Sequence, residues 1–211
     1  MLERKLFSQS EELAFRQLTL AEQQQVILAK YQERNLQAEP NGLVLAGDSL
    51  TEFLPHAKLA LDGPLYNRGI RGIGIDFLQD HLKDLILDLA PRQLVLLIGT
   101  NDLMFSMAPE VLAEKITHLV DTISAALPQC HIHLQSLYPR QDSKQWGPAL
   151  IDEIEVANLY LRNLSGVTYI DVHSLLADKE QRLEAAYTHD GVHLTMAGYQ
   201  VVLEALQHQL L

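Results

Sequence analysis

The sequence predicts a three-layer α/β sandwich built on about five parallel strands. Three observations carry this expectation. Short apolar runs alternate with longer segments of helical period along most of the chain. The runs are continuously apolar, as in Leu94 to Ile98, which is the pattern of strands covered on both faces. Parallel strands need covered crossovers, and the intervening amphipathic segments supply them.

The elements follow in order. Residues 1–39 are rich in Gln, Glu and Leu at helical spacing and read as an N-terminal helical extension. Thr19-Leu20-Ala21-Glu22 fits a capping box, so one helix is expected to end and another to begin there. Leu18, Val26, Ile27 and Tyr31 would then face the body. The α/β core spans 40–211, the whole of 1–211 being read as a single domain. Pro40-Asn41-Gly42 signals a turn before the strand Leu43 to Ala46. Asp62-Gly63-Pro64 turns into the strand Leu65 to Asn67, and a glycine-rich loop, Gly69 to Gly74, follows. A helix is expected from Ile75 to Leu89, with Leu78, Leu82, Leu85, Ile86 and Leu89 as its apolar stripe and Pro91 as its stop. After the strand at 94–98, Pro109 opens a long helix to about Leu127. Its stripe is Leu112, Ile116, Leu119, Val120 and Ile123. His131 to Ser136 is the next strand, and a loop holding Trp146, Gly147 and Pro148 leads to a helix from Ala149 to Leu164. Val167 to Asp171 is the last strand. A partly helical stretch (175–188) and a polar loop precede a final amphipathic helix, Thr195 to His208. No internal repeat or low-complexity tract appears.

Bulk properties exclude several classes. At 211 residues the chain can bury a full core without disulfides or metal. Its formal net charge of −11 opposes binding to nucleic-acid phosphate or to anionic membrane surfaces. The single cysteine, Cys130, rules out an intrachain disulfide and a multi-cysteine metal cluster, and its apolar setting suggests a buried, inert thiol. The apolar runs are too short to cross a bilayer, so no integral membrane insertion is expected. No apolar stretch follows the charges at Glu3, Arg4 and Lys5, so no secretory leader is read and a cytoplasmic location is expected.

Polar residues gather where the apolar runs end, which in open parallel sheets is where ligands bind. Gly47-Asp48-Ser49-Leu50 follows the first strand, Gly69 to Gly74 the second, and Gly99-Thr100-Asn101-Asp102 the third. Asp190-Gly191-Val192-His193 precedes the final helix. Alone, Ser49 reads as a helix cap, because Ser49-Leu50-Thr51-Glu52 is a capping box.

Taken in order, these four blocks resemble those of the SGNH, or GDSL-type, serine hydrolases, with the second and third most similar to the platelet-activating-factor acetylhydrolase branch. The resemblance runs from residue 47 to 193 and implies a flavodoxin-like sheet and ester hydrolysis. Ser49 would be the nucleophile of an acyl-enzyme, activated by His193 as general base. Asp190, three residues before His193, is near enough in one loop to orient its imidazole. The oxyanion hole implied by the resemblance is the Ser49 and Gly72 backbone N–H groups and the Asn101 amide. Short acyl esters, acetyl first, of a lipid, sugar or small molecule would be the substrates. No cofactor or metal is implied.

Two further features concern substrate. Arg68 and Arg71 flank the oxyanion loop and either contact an anionic group on the substrate or pair with acids such as Asp102 and Asp76. Leu50, Phe53, Leu103, Met104 and Val192 adjoin the blocks and either line an acyl pocket or belong to the core. His189 is expected to face solvent, and His131 and His133 share a strand face without an evident third metal ligand. A homodimer is compatible with the N-terminal helices if they leave an apolar face exposed. The alternative function is a noncatalytic α/β domain that holds a phosphate or carboxylate through Arg68 and Arg71. There is no Gly-x-Ser-x-Gly elbow and no Walker motif.

Overall fold

The computed structural model describes the backbone of residues 9–210 and side chains from residue 17; the charged start of the chain, where no leader was read, lies outside the described residues. Five strands form one all-parallel sheet: β1 (Leu43–Gly47), β2 (Leu65–Gly69), β3 (Gln93–Leu97), β4 (His131–Gln135) and β5 (Thr168–Ile170). Their order is β2-β1-β3-β4-β5, a doubly wound arrangement. All four strand pairs are parallel. Every expected strand is present, with boundaries shifted by at most two residues.

The helices are α1 (Gln9–Asn35), α2 (Ser49–Glu52), α3 (Ile75–Asp80), α4 (Leu82–Leu85), α5 (Thr100–Met104), α6 (Pro109–Ala126), α7 (Ile151–Arg162), α8 (His173–Leu176) and α9 (Met196–Leu210). Helix α6 packs against α3 and α7, and α1 lies along α4. Helix α9 packs on β5 and α8 and reaches the region after β1, where the Tyr199 hydroxyl donates to the Leu50 carbonyl (3.1 Å). The apolar stripe of α6 is the expected one: Leu112, Ile116, Leu119, Val120 and Ile123 are all buried. Among the described residues no helix is long and apolar enough to cross a membrane.

Three local expectations are corrected. Helix α1 runs unbroken through Thr19 to Glu22. Its buried face carries Gln24, Leu28 and Tyr31, whereas Leu18 and Val26 are exposed. A capping box is a local preference of under about 2 kcal/mol, and here the tertiary contacts of Leu20, Gln24 and Tyr31 hold a continuous helix. Second, the Ile75–Leu89 helix is three short pieces, α3, α4 and a 3-10 turn at Leu87–Leu89. Its stripe is still buried, so burial and not regular hydrogen bonding sets its course. Third, Ser49 does not cap α2. Asp48 is the N-cap, and its Oδ1 accepts the Leu50 N–H (2.9 Å). Ser49 is therefore the first helical residue and its hydroxyl is free for other work.

Candidate active site

The register places Gly47 beside Gly69 and Leu97, so the segments after β1, β2 and β3 leave the sheet side by side. This is the crevice where the chain turns from one side of β1 to the other, the usual ligand site of such sheets. The loop before α9 closes over it.

Ser49 Oγ lies 3.0 Å from His193 Nε2. His193 Nδ1 lies 2.7 Å from Asp190 Oδ2. The same carboxylate accepts the backbone N–H groups of Val192 (3.0 Å) and His193 (2.8 Å) through Oδ1. Partial burial alone would raise the Asp190 carboxyl, but the His193 side chain and the two backbone donors override it and hold it at about 2. An ionised carboxylate therefore faces Nδ1, which favours the tautomer with its proton on Nδ1 and a free lone pair on Nε2 toward Ser49. Thr188 ties the loop together by donating from its hydroxyl to the His193 carbonyl (2.8 Å).

The loop after β2 is clamped to α2. Asn67 donates to the Thr51 carbonyl (2.7 Å) and accepts the Gly69 N–H (2.8 Å). At Gly69 a Cβ would fall 2.2 Å from the Glu52 backbone nitrogen, so glycine is what lets the loop approach the helix. Glu52, which a capping box would have turned back on its own helix, instead accepts the Arg71 backbone N–H (2.6 Å) and pairs with the Arg71 guanidinium. Gly72 follows with φ +74, in the left-handed region. Asn101 donates from Nδ2 to the Ile73 carbonyl (2.8 Å), and its amide has a second hydrogen to offer. Ser49, at the first position of α2, has a backbone N–H with no acceptor within the helix. Asp102 accepts the Ile75 N–H at the exit of the loop (3.1 Å to each oxygen). Ser49, Gly72 and Asn101 all line one cavity of about 220 Å³.

The other walls of that cavity are Leu20 of α1, Phe53, Met104, Phe105, Trp146 and Val192. Val192, Met104 and Phe53 were among the expected acyl-pocket residues; Leu50 and Leu103 are core residues that do not line it. Arg71 lines the cavity, but Glu52 and not Asp76 or Asp102 is its partner. Arg68 is corrected outright. It is buried beneath α1, donates to Asn35 Oδ1 (2.8 Å) and lies over the rings of Tyr31 and Tyr66, so its charge is turned away from the cavity. The alternative of an anion held by both arginines loses its geometry. Elsewhere, His189 is exposed, and His131 and His133 stack on each other with His131 Nε2 against Thr168 (2.8 Å). Cys130 is only half-buried, and burial raises its thiol to about 11.

Three of the cavity walls went unread in the sequence, Leu20, Phe105 and Trp146. Leu20 comes from a helix that shares no motif with the four blocks. Trp146, noted only as part of a loop, donates from Nε1 to Asp190 Oδ2 (2.9 Å) and meets the His193 ring edge-on at 5.5 Å between centroids.

A hydroxyl, an imidazole and a carboxylate in line on the rim of a doubly wound sheet mark the class as a hydrolase of the three-layer α/β kind. Comparison with known proteins agrees. Residues 45–201 match the model of the GDSL-like lipase/acylhydrolase family. The chain belongs to that family, and it is an ester-hydrolysing enzyme. Solved structures share the fold. A Streptococcus pneumonia protein provisionally described as a platelet activating factor is 26% identical, with a TM-score of 0.88 over 97% of this chain and 100% of its own. A GDSL-like lipase from Bacteroides thetaiotaomicron is 18% identical, with a TM-score of 0.74 over 86% and 96%. An acetyl xylan esterase is 18% identical, with a TM-score of 0.66 over 80% and 100%. Among curated protein sequences none matches.

Proposed function

We propose that the chain hydrolyses carboxylic esters of short acyl groups through a covalent acyl-Ser49 intermediate. The observation that carries this reading is the continuous line from Ser49 Oγ through His193 to Asp190, opening on an apolar cavity. At about 220 Å³ the cavity falls below the roughly 300–1,000 Å³ of sites for drug-sized ligands, which favours acetyl-sized over long acyl chains.

The chemistry runs through the residues in place. His193 Nε2 takes the Ser49 proton as Oγ attacks the ester carbonyl. Negative charge forms on the carbonyl oxygen, which on this reading takes hydrogen bonds from the N–H groups of Ser49 and Gly72 and from the Asn101 amide, all of which line the cavity. Asp190 balances the imidazolium. Collapse expels the alcohol with a proton from His193, leaving acyl-Ser49. Water then enters by the same general-base route and releases the acid. Leaving-group chemistry is open to solvent beyond Phe53 and Phe105, both exposed at the rim, so a lipid, sugar or small alcohol would be accommodated.

A rate series on p-nitrophenyl acetate, butyrate and octanoate tests the reading, with Ser49→Ala alongside. Turnover should be fastest on the acetate and drop by about a thousandfold or more in the variant. A fluorophosphonate should label Ser49 and nothing else. A Ser49→Ala variant that keeps native turnover with unchanged folding would remove Ser49 from the mechanism, and a rate that climbs toward octanoate would remove the short-acyl assignment.

A further inference from the structure

The β4–α7 loop carries the one tryptophan of the chain. Trp146 is set with more contacts than a cavity wall requires. Arg140, at the exit of β4 and only 2% exposed, donates from Nη2 to the Trp146 carbonyl (2.7 Å). Ser143 and Gly147 bridge the loop by reciprocal backbone bonds of 2.8 and 2.9 Å, and Ser143 Oγ accepts the Trp146 N–H (3.3 Å). The indole so held directs its only polar atom to Asp190 Oδ2, the oxygen that also faces His193 Nδ1.

We infer, on the reading of Ser49, His193 and Asp190 given above, that Trp146 is a positioning residue for the Asp190–His193 pair. A carboxylate oxygen has two in-plane lone pairs. With the indole N–H on one, only the other is left, and it points at Nδ1. Oδ1 is meanwhile occupied by the two backbone donors, so the carboxylate cannot rotate. The edge-on indole, together with the tilted ring of Phe53 at 5.7 Å, also limits the swing of the imidazole away from Ser49. A phenylalanine would fill the same wall but leave Oδ2 one donor short. That oxygen would then carry more negative charge and hold a protonated His193 more firmly. The other charged groups near the pair stay in place: Arg140 behind Asp190, Asp48 beside Ser49, and Arg71 with its Glu52 partner.

The test compares Trp146→Phe with native enzyme and Ser49→Ala on p-nitrophenyl acetate across pH. A charge-assisted hydrogen bond of this kind predicts kcat lower by about tenfold in Trp146→Phe, with KM within about twofold. The acid limb of its kcat/KM profile should move to higher pH. A purely packing role would lower stability or raise KM while leaving that limb in place, and either result, or native kcat, overturns the inference. Ser49→Ala reports separately on the underlying reading, since that reading fails only if this variant is active. Should Trp146→Phe fail to fold, the native protein decides. Emission from its one tryptophan should change with pH at the midpoint of the acid limb and lose that change in His193→Gln. Emission that is flat through the limb, or unaltered in His193→Gln, would overturn the inference equally.

Discussion

Asp48 is the most heavily desolvated acid beside the site, and replacing it with asparagine has a calculable consequence. Its side chain is 1% exposed; Oδ1 accepts the Leu50 N–H, while Oδ2 has no partner. Burial, with the nearby charge of Asp102 adding to it, outweighs the Leu50 bond and raises the carboxyl from 3.8 to about 7. A carboxyl raised on folding binds its proton more tightly in the native state than in the unfolded chain. Its contribution to stability is therefore greatest below 3.8 and declines as pH rises toward about 7, after which it is constant. Between pH 5 and pH 8 most of that window is crossed, which is worth roughly 3 kcal/mol. The asparagine of Asp48→Asn keeps an oxygen for the Leu50 N–H and cannot ionise. The stability of native protein minus that of Asp48→Asn should thus fall by roughly 3 kcal/mol from pH 5 to pH 8. Urea unfolding followed by circular dichroism at both pH values measures this, and groups elsewhere cancel in the difference. A difference that is the same at both pH values would refute the argument, and with it the claim that Asp48 is an uncompensated buried acid.

Two further perturbations act on the oxyanion loop. In Gly72→Ala the new Cβ would sit 2.7 Å from Leu20 Cδ2 at a φ of +74, a backbone cost of about 1–2 kcal/mol. Displacing that donor should lower kcat on p-nitrophenyl acetate by about a hundredfold with a smaller change in KM; an unchanged kcat would take Gly72 out of the oxyanion hole. In Glu52→Gln the Arg71 backbone N–H loses its charged acceptor, and the half-exposed guanidinium contributes little in water. Thermal unfolding should register a loss of about 1 kcal/mol, and kcat should fall about fivefold; a stable variant with native kcat would show that the clamp does not position the donors.

Much of the candidate site was legible in the sequence: Ser49, Gly72 and Asn101 follow apolar runs whose ends a parallel sheet brings to one edge, and Asp190 and His193 share one short loop before the final helix. Local signals misled where a residue had a stronger distant partner. Glu52 looked like the reciprocal half of a cap on Ser49, yet Arg71 outcompetes its own helix because a charged bidentate pair is stronger than one backbone bond. Arg68 looked like a ligand for substrate anions, yet α1 covers it. Nothing in the 47–193 blocks announces Leu20 or Trp146, because neither stands at a strand end or at a spacing tied to the four motifs.

The sequence by itself determined a sheet of about five covered parallel strands and the chemical types on the rim. These depend on periodicity and on short-range spacing, which are properties of the chain. Tertiary structure alone decided which distant partners the polar groups found: Glu52 on Arg71, Trp146 on Asp190, and an N-terminal helix as a wall of the cavity. Those pairings join residues up to 44 positions apart in these examples, and the wall joins residues farther still. Their energies come from burial and from excluded water, which exist only once the layers have packed.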